Sequence, residues 1–184
     1  MVTLRSGAFL FLRHGQTAAN AQDIICGSTD LPLNESGIAQ ARQAAAFLKH
    51  TGVQQIVVSP LKRAQQTAQP VAKALGLRIQ ISEGLAERNW GVWEGQPRSI
   101  LRREETPPKG EALQAFNERT EAAFSAIDLD LPTLIVAHSG TDRAIHRLLA
   151  DGPHIRMANA AIRLWEPAMQ GTQWNCHECF KPER

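Results

Sequence analysis

The amino-acid sequence predicts an α/β fold, a three-layer α/β/α arrangement around a mostly parallel central sheet. Two observations carry this prediction. Short segments with the length of strands alternate with longer segments of helical periodicity along most of the chain, which is the pattern of an α/β fold with a parallel sheet. Several of the short segments are apolar throughout, as strands covered on both faces are. A length of 184 residues fits one domain spanning residues 1–184.

Each predicted element has its own signal. The strands of the alternation are the short segments at residues 8–12, 56–58, 78–81 and 133–137. The four predicted helices have apolar residues at spacings of three and four. The first begins at Leu33–Ser36 and stops before Gly52, and the second begins at Ser59–Pro60 and ends at Gly76. The third spans residues 111–127 and the fourth spans residues 140–149. Ser59 before Pro60 predicts a serine N-cap with proline at the first helical position. Two closing strands, 160–165 and 172–180, are predicted to form a hairpin around Gln170-Gly171.

Residues 84–110 interrupt the alternation. The segment contains Trp90 and Trp93 among several glycines and prolines, and it shows little periodicity. A long irregular segment in a compact domain is usually either functional or disordered, and two tryptophans argue against disorder. We therefore predict a substrate-binding loop at about residues 84–110.

Composition excludes several classes of partner. Lys and Arg number 20 against 18 Asp and Glu, a net charge of +2, which is too weak to indicate a nucleic-acid or anionic-membrane partner. No run reaches the roughly 18 apolar residues of a membrane-spanning helix. Three cysteines do not make a secreted disulfide framework, so the cytoplasm is the expected compartment. The sequence indicates no particular oligomeric state.

Basic and imidazole side chains follow three of the predicted strands. Arg13-His14-Gly15 ends the first strand, Ser59-Pro60 ends the second with Arg63 one turn later, and His138-Ser139-Gly140 ends the fourth. Ligands of an open parallel sheet bind at the carboxyl ends of its strands, where the N–H groups of helix N-termini favour anions. Two imidazoles and two guanidiniums at one edge predict a site for a tetrahedral dianion such as phosphate.

Six spaced motifs contain these residues. In order, they are Arg13-His14-Gly15-Gln16-Thr17-Ala18-Ala19-Asn20, Gly27-Ser28-Thr29-Asp30-Leu31-Pro32-Leu33, Ser59-Pro60-Leu61-Lys62-Arg63-Ala64, Leu85-Ala86-Glu87-Arg88-Asn89-Trp90-Gly91-Val92-Trp93-Glu94-Gly95, Lys109-Gly110-Glu111-Ala112 and Ala137-His138-Ser139-Gly140. Together the series resembles the histidine phosphatase superfamily, also called the phosphoglycerate mutase-like family. The resemblance covers about residues 8–150, and several motifs in family order are far more specific than one.

The resemblance implies a covalent phosphohistidine mechanism that needs no metal ion and no cofactor. His14 attacks phosphorus, Glu87 protonates the leaving alcohol, and water then hydrolyses the phosphohistidine with Glu87 as base. The expected catalytic residues are His14, Glu87, His138, Arg13 and Arg63, and the expected phosphate- and substrate-binding residues are Asn20, Gly27, Ser139, Gly140 and Trp90. The chemistry fits these roles, because a nucleophilic imidazole must be neutral at the attacking nitrogen and phosphoryl transfer depends on positioning and charge neutralisation.

Within the family, three features favour a phosphatase over a mutase. The chain ends soon after the predicted hairpin, Asn89-Trp90 stands where mutases carry a tyrosine motif, and the segment from Gln96 to Lys109 is short, so that water should reach the phosphohistidine. The expected substrate is a small phosphorylated metabolite, and the Gly27–Leu33 stretch is similar to α-ribazole phosphatases and compact broad-specificity phosphatases. A cofactor-dependent mutase-type phosphotransferase and a non-catalytic phospho-ligand-binding protein are the alternatives; the intact set of five catalytic residues argues against the second.

The other reactive residues have structural interpretations. Ala137–Thr141 has the context of a serine-hydrolase elbow but lacks both glycines of that motif. Cys176-His177-Glu178-Cys179 offers too few ligands for structural zinc, so we interpret Cys176 and Cys179 as free thiols. His50, His146 and His154 are interpreted as surface or helix-end residues, and Arg42, Arg147 and Arg156 as solvated. Two questions stay open: Arg98, Arg102, Arg103 and Lys109 either contact an anionic substrate or form a solvated basic face, and Trp90 and Trp93 either stack on the leaving group or pack in the core.

Overall fold

The structure is a computed structural model that describes residues 4–168 and 173–183. Within these ranges the strands are β1 (Phe9–Arg13), β2 (Gln55–Val58), β3 (Ile79–Ile81), β4 (Thr133–Ala137), β5 (Ile162–Pro167) and β6 (Trp174–Phe180). The α-helices are α1 (Ala18–Ala21), α2 (Glu35–Leu48), α3 (Lys62–Leu75), α4 (Leu113–Ser125) and α5 (Ser139–Leu149). No helix in this described part combines the length and the apolar character needed to cross a membrane.

The six strands form one mixed sheet in the order β3-β2-β4-β1-β5-β6. Strands β1 to β4 run parallel, whereas β5 is antiparallel to β1 and β6 is antiparallel to β5. Arg13 at the end of β1 pairs with Ala137 of β4, and Val58 at the end of β2 pairs with Val136. The carboxyl ends of β1, β4 and β2 therefore lie side by side. The predicted α/β class with a mostly parallel sheet is confirmed.

Helices cover both faces of the sheet, because its central strands are apolar on both sides. Leu10 and Leu12 of β1 pack against α2 and α3, whereas Phe9 and Phe11 belong to the opposite cluster with α4 and α5. Successive strand residues face opposite sides, so an unbroken apolar run fills both. Each fully buried side chain of this kind contributes roughly 1.5–3 kcal/mol. The result is the predicted three-layer arrangement, with the strand ends open at one edge.

The predicted serine cap of α3 is wrong. The helix begins at Lys62 after Leu61, which makes no capping bond with its side chain, and the N–H of Lys62 donates to Oδ1 of Asp30 at 2.7 Å. The hydroxyl of Ser59 instead forms a 2.6 Å hydrogen bond with Nε2 of His138. Parallel β2 and β4 place Ser59 and His138 at the same edge of the sheet. The Ser59 hydroxyl therefore bonds His138 and does not cap α3.

The surface interpretation of His154 is wrong as well. The His154 side chain is 4% exposed, and its Nε2 lies 2.6 Å from Oδ2 of Asp142. Asp142 is fully buried and also pairs with Arg163 at 2.9 Å, as a buried carboxylate requires. His146 does lie in the last turn of α5 but is buried, whereas His50 is exposed.

Residues 84–110, all of which the structure describes, contain no α-helix and no strand of the sheet. Their order comes from Arg88, which is 1% exposed and whose guanidinium donates to the carbonyls of Arg103, Glu105 and Glu111. The predicted hairpin strands β5 and β6 do pair antiparallel, while the predicted turn at Gln170-Gly171 lies outside the described residues.

Candidate active site

A cavity of about 50 Å³ opens where β1 and β4 end. Its walls contain eight of the ten residues that the sequence singled out: Arg13, His14, Asn20, Gly27, Arg63, Glu87, Trp90 and Ser139. The other two are adjacent. The ring of His138 lies 5.1 Å from that of His14, and Gly140 follows Ser139 and contacts Glu87. The predicted residues therefore converge on one edge of the sheet.

His14 is held as a neutral imidazole with one free nitrogen. Its side chain is buried, and Nδ1 lies 2.7 Å from the carbonyl oxygen of Gly15, so Nδ1–H donates and Nε2 keeps its lone pair. Burial, followed by the positive charges of Arg63 and Arg13, lowers the pKa of His14 well below the usual 6.5. At neutral pH this ring is therefore uncharged, which is the state a nucleophile needs.

Two buried guanidiniums flank His14. Arg13 is the last residue of β1 and donates to the Met157 carbonyl at 2.6 Å, and burial lowers its pKa to about 9. Arg63, in the first turn of α3, is 1% exposed. Nε of both arginines has no hydrogen-bond partner among the residues that the structure describes. Buried donors left in this state are typical of a site that receives a polar ligand.

Glu94 fixes the loop on which Arg63 rests. Arg63 donates to the carbonyls of Gly27 at 2.6 Å and Thr29 at 2.8 Å. The carboxylate of Glu94 accepts the N–H and hydroxyl groups of both Ser28 and Thr29. Gly27 has a φ of +55°, and a Cβ there would overlap Glu94 Oε1. Gly27 therefore lines the cavity and also holds Arg63 through its carbonyl.

His138 lies behind the cavity and is fully buried. Its Nε2 pairs with Ser59, and its Nδ1 has no partner within the described part of the chain. Burial and then the charge of Arg63 lower the pKa of His138 well below 6.5. A neutral His138 that accepts the Ser59 hydroxyl proton at Nε2 carries its own proton on Nδ1, which is then a donor without a protein acceptor.

Glu87 contacts the N-terminus of α5. Its two carboxylate oxygens accept the N–H of Gly140 at 2.9 Å and the N–H of Arg88 at 2.8 Å. A Cβ at Gly140 would overlap Glu87 Oε1, so glycine allows this close approach. The predicted use of the Gly140 N–H for phosphate therefore competes with Glu87 in this structure.

Arg119 of α4 fixes the backbone of Glu87. Its guanidinium makes two hydrogen bonds with the Glu111 carboxylate, at 2.7 and 2.9 Å. It also donates to the carbonyls of Gly84, Ala86 and Glu87. A bidentate arginine–carboxylate pair is a rigid anchor, so the position of Glu87 depends on a residue 32 positions away in the sequence.

Asn20 and Trp90 both line the cavity. Oδ1 of Asn20 accepts from Thr17 N–H and from Asn159, which orients the amide nitrogen as a donor. Trp90 is 9% exposed, stacks on Trp93 at 6.1 Å and still lines the cavity. Trp90 is thus both packed and on the cavity wall.

Sequence reasoning missed Ser59 as a partner of His138, and it missed Glu94, Arg119 and Asn159. It also took Arg156 as solvated, whereas Arg156 lines the cavity beside Arg13 and His14. Glu94 had a signal, because it lies inside the quoted Trp93-Glu94-Gly95 stretch. No sequence signal marked Arg119 or Asn159, since an arginine on a helix surface and an asparagine in a loop are common. Within the described residues, no cluster of three or more His, Cys, Asp or Glu side chains is arranged to hold a metal. Cys176 and Cys179 are free thiols.

Comparison with known proteins agrees with this geometry. The sequence model of the histidine phosphatase superfamily (branch 1) matches residues 9–178. An uncharacterized phosphatase, PhoE, of Bacillus subtilis (strain 168) is 35% identical over 150 residues, 78% of this chain and 76% of that protein. A probable phosphoglycerate mutase, GpmB, of Cronobacter sakazakii (strain ATCC BAA-894) is 36% identical over 145 residues, 69% of this chain and 67% of that protein.

Solved structures show the same likeness. The crystal structure of a candidate alpha-ribazole-5'-P phosphatase from Escherichia coli K-12 superposes with a TM-score of 0.82 at 25% identity, covering 95% of this chain and 96% of that one. The resemblance found in the motifs is thereby confirmed. The chain belongs to the histidine phosphatase superfamily, branch 1, and is an enzyme of the phosphatase type.

Proposed function

We propose that the protein hydrolyses small phosphorylated metabolites through a phosphohistidine on His14, with Glu87 as general acid and base and without a metal ion. One observation carries the proposal. His14 is a neutral imidazole whose Nδ1 is held by Gly15, on the wall of a small cavity that also contains the buried guanidiniums of Arg13 and Arg63. A free Nε2 between two cations is the arrangement that in-line attack on a phosphoryl dianion requires.

In the first step, Nε2 of His14 forms a bond to phosphorus while the bond from phosphorus to the leaving oxygen breaks. Arg13 and Arg63 neutralise the phosphoryl oxygens and offer their unpaired Nε–H groups. His138 donates from Nδ1, and the amide nitrogen of Asn20 adds a further donor. Because these groups are already fixed by Met157, Gly27 and Ser59, little reorganisation accompanies the reaction.

Glu87 handles the proton. In the first step the protonated Glu87 carboxyl gives its proton to the leaving oxygen. In the second step the Glu87 carboxylate takes a proton from water as that water attacks phosphorus, and inorganic phosphate leaves His14. Ser139 and Trp90 line the same cavity as Glu87.

Charge neutralisation by arginine is what makes a metal ion unnecessary in this proposal. A metal ion at a phosphoryl-transfer site withdraws negative charge from the oxygens, and two buried guanidiniums next to His14 supply the same effect. Phosphate release from p-nitrophenyl phosphate should therefore persist in a strong chelator. Loss of activity in the chelator, restored by a divalent cation, would contradict this part. The cytoplasmic location stays a prediction from cysteine usage.

The covalent step is tested by trapping it. Rapid acid-free quenching during turnover, followed by peptide mass spectrometry, should find an acid-labile phosphoryl group on the peptide that contains His14. His14→Ala should abolish both the label and turnover, while His50→Ala, an exposed residue on the surface, should change neither. Full activity of His14→Ala would refute the proposal.

A mutase-type phosphotransferase is the second candidate, because one relative carries the name of a phosphoglycerate mutase. The two activities share the phosphohistidine and differ in what removes the phosphoryl group. Supplying 3-phosphoglycerate and analysing the products separates them: a phosphatase releases inorganic phosphate at every turnover, and a mutase yields mainly the isomeric phosphate ester.

A further inference from the structure

Three buried ionisable side chains form a cluster that the proposed mechanism does not use. Asp142 is fully buried, Arg163 is 6% exposed and the His154 side chain is 4% exposed. The Asp142 carboxylate accepts from Nη1 of Arg163 at 3.1 and 2.9 Å, and its Oδ2 lies 2.6 Å from Nε2 of His154. All three belong to the described part of the chain, and none of them lines the cavity that contains His14.

Stability alone gives no reason for this cluster. Taking a carboxylate and a guanidinium out of water costs about as much as their attraction returns, and apolar side chains of the same size often stabilise a protein equally well. Nδ1 of His154 has no hydrogen-bond partner within residues 4–168 and 173–183, which adds a further cost. Hydrogen bonds do fix geometry, because each has a defined length and direction. The elements that the cluster joins therefore matter more than the energy of its bonds.

The cluster joins α5, β5 and the loop between them. Asp142 lies in the first turn of α5, Arg163 lies in β5, and His154 belongs to residues 150–161, which we call the return loop. All residues of the return loop are described and none is in a helix or a strand, so side-chain contacts have to fix it. Arg163 holds the next residue as well, since its Nη2 donates to the Ile155 carbonyl at 2.8 Å.

The second half of the return loop holds the nucleophile and one of its arginines. The Met157 carbonyl accepts from Nη1 of Arg13 at 2.6 Å. The side-chain amide of Asn159 donates to the carbonyls of His14 at 3.1 Å and Gly15 at 3.3 Å. The Gly15 carbonyl is also the group that receives Nδ1–H of His14. The tautomer of His14 and the position of Arg13 therefore depend on where the return loop lies.

Asp142 also belongs to the helix that holds Glu87. The N–H of Gly140, two residues before Asp142 in α5, donates to the Glu87 carboxylate at 2.9 Å. The start of α5 therefore contacts the general acid and, through the Asp142 carboxylate, the return loop. A shift of the return loop along α5 would change the placement of His14 relative to Glu87, and both must act on the same phosphoryl group.

We propose that Asp142 and His154 are positioning residues for the reaction. Their hydrogen bond fixes the return loop against α5, and the return loop in turn fixes Arg13 and His14 relative to Glu87. Asp142 and His154 act through the backbone of the return loop and not by contact with the substrate. The inference rests on the proposed function, since it takes the residues that they position as the catalytic groups.

His154 is the residue to change, because Asp142 then keeps Arg163 as its partner and no buried charge is left alone. His154→Leu removes the hydrogen bond to Asp142, whereas His154→Gln keeps an N–H donor at a similar distance from the backbone. In His154→Leu, kcat/KM for p-nitrophenyl phosphate should fall by about 10- to 100-fold, since misplacing a catalytic group by about 1 Å costs on the order of 100-fold. His154→Gln should retain most of the wild-type activity.

A second variant separates positioning from folding. Val53→Ala removes buried methyl groups just before β2, at the end of the sheet where the parallel strands begin. It should lower Tm and leave kcat/KM, measured below the Tm of every variant, at the wild-type value. If His154→Leu does not fold, His154→Asn takes its place, because its shorter side chain cannot reach Asp142.

Two further measurements do not need turnover. Calorimetry should show weaker binding of inorganic phosphate to His154→Leu than to the wild-type protein, because Arg13 is displaced. In the proton NMR spectrum, the Nδ1–H signal of His14, assigned by its absence from His14→Ala, should exchange faster with water in His154→Leu, because the Gly15 carbonyl is no longer held.

The outcomes separate this inference from the proposed function. Wild-type activity and an unchanged His14 signal in His154→Leu would overturn the inference and leave the phosphatase proposal standing. Equal losses of activity in His154→Leu and Val53→Ala, or no recovery in His154→Gln, would also overturn it, since the cluster would then serve only the fold. No hydrolysis by the wild-type protein would overturn the proposed function, and phosphate affinity and the His14 signal would still decide whether His154 positions the site.

Discussion

Glu94 touches no predicted catalytic side chain, yet we expect Glu94→Gln to damage the site through Arg63. The carboxylate accepts five hydrogen bonds, from the N–H and hydroxyl groups of Ser28 and Thr29 and from the N–H of Trp90. Glutamine keeps one oxygen and turns the other acceptor into a donor. The N–H group of Thr29 or of Ser28 then loses its acceptor, and the remaining bonds lose their charge.

The size of the effect follows from these contacts. Hydrogen bonds to a charged group contribute about 1.5–3 kcal/mol each, but Glu94 and Thr29 reach solvent, so water replaces part of the loss. We expect the free energy of unfolding to fall by about 2 kcal/mol and Tm to fall by about 4–8 °C for a chain of this size. The loop that holds Arg63 should loosen, and misplacement of a catalytic group by about 1 Å costs on the order of 100-fold in rate.

The assay is kcat/KM for p-nitrophenyl phosphate, below the Tm of every variant, with Glu121→Gln as a control on the exposed face of α4. Loss of stability alone would not couple Glu94 to Arg63, so the test is a double-mutant cycle. In an Arg63→Gln background, Glu94→Gln should cost less than about threefold, because contacting residues act as one unit. Fully additive losses would refute the idea that Glu94 acts through Arg63.

Three further predictions address the rest of the site. Gly140→Ala places a methyl group against Glu87, so kcat for alkyl phosphates should fall about 100-fold while Tm stays unchanged. The loss of kcat should be smaller for aryl phosphates, and equal losses on both substrates would contradict the acid role of Glu87. Arg119→Met should lower the free energy of unfolding by about 2 kcal/mol, measured by urea titration. An unchanged urea midpoint would show that the Arg119 contacts do not stabilise the protein. The pKa of His14 is lowered by burial and by Arg63, so the neutral imidazole is present above that lowered pKa. The acid limb of the kcat/KM profile should therefore lie well below pH 6.5 and should move to higher pH in Arg63→Gln. An acid limb at pH 6.5 in the wild type would contradict this. The same depressed value means that the unfolded chain binds the proton first, so the His14 contribution to stability is lost as pH falls from 6.5 toward the folded pKa.

Local patterns predicted most of the fold. Apolar runs such as 133–137 became the buried strand β4 without a change of boundary, because burial on both faces demands an unbroken apolar segment. Ser59 shows where such reasoning fails: it has a local capping signal, but α3 begins two residues later than the signal predicts and the Ser59 hydroxyl bonds His138 on the neighbouring strand end. His154 failed for the same kind of reason, since a buried Asp142 needs a partner that no spacing reveals.

The residues of the candidate site likewise fall into those that local patterns predict and those that they do not. Residues that follow strand ends, such as His14 and His138, were predictable because the parallel sheet forces them to one edge. The residues that hold them were not: Asn159 reaches the carbonyl of His14 from 145 positions away and Asn20 from 139, and Arg119 reaches Glu87 from α4. These contacts depend on the completed tertiary packing, and a single sequence carries no record of it.

The central claim is that phosphoryl transfer proceeds through His14 in two displacements, and the stereochemistry at phosphorus tests it most directly. A phosphorothioate monoester made chiral with oxygen isotopes would be hydrolysed in isotopically labelled water, and the configuration of the released thiophosphate determined. Two in-line displacements, first by His14 and then by water, predict overall retention. Inversion would mean that water attacks the substrate directly, and the phosphohistidine account would be wrong.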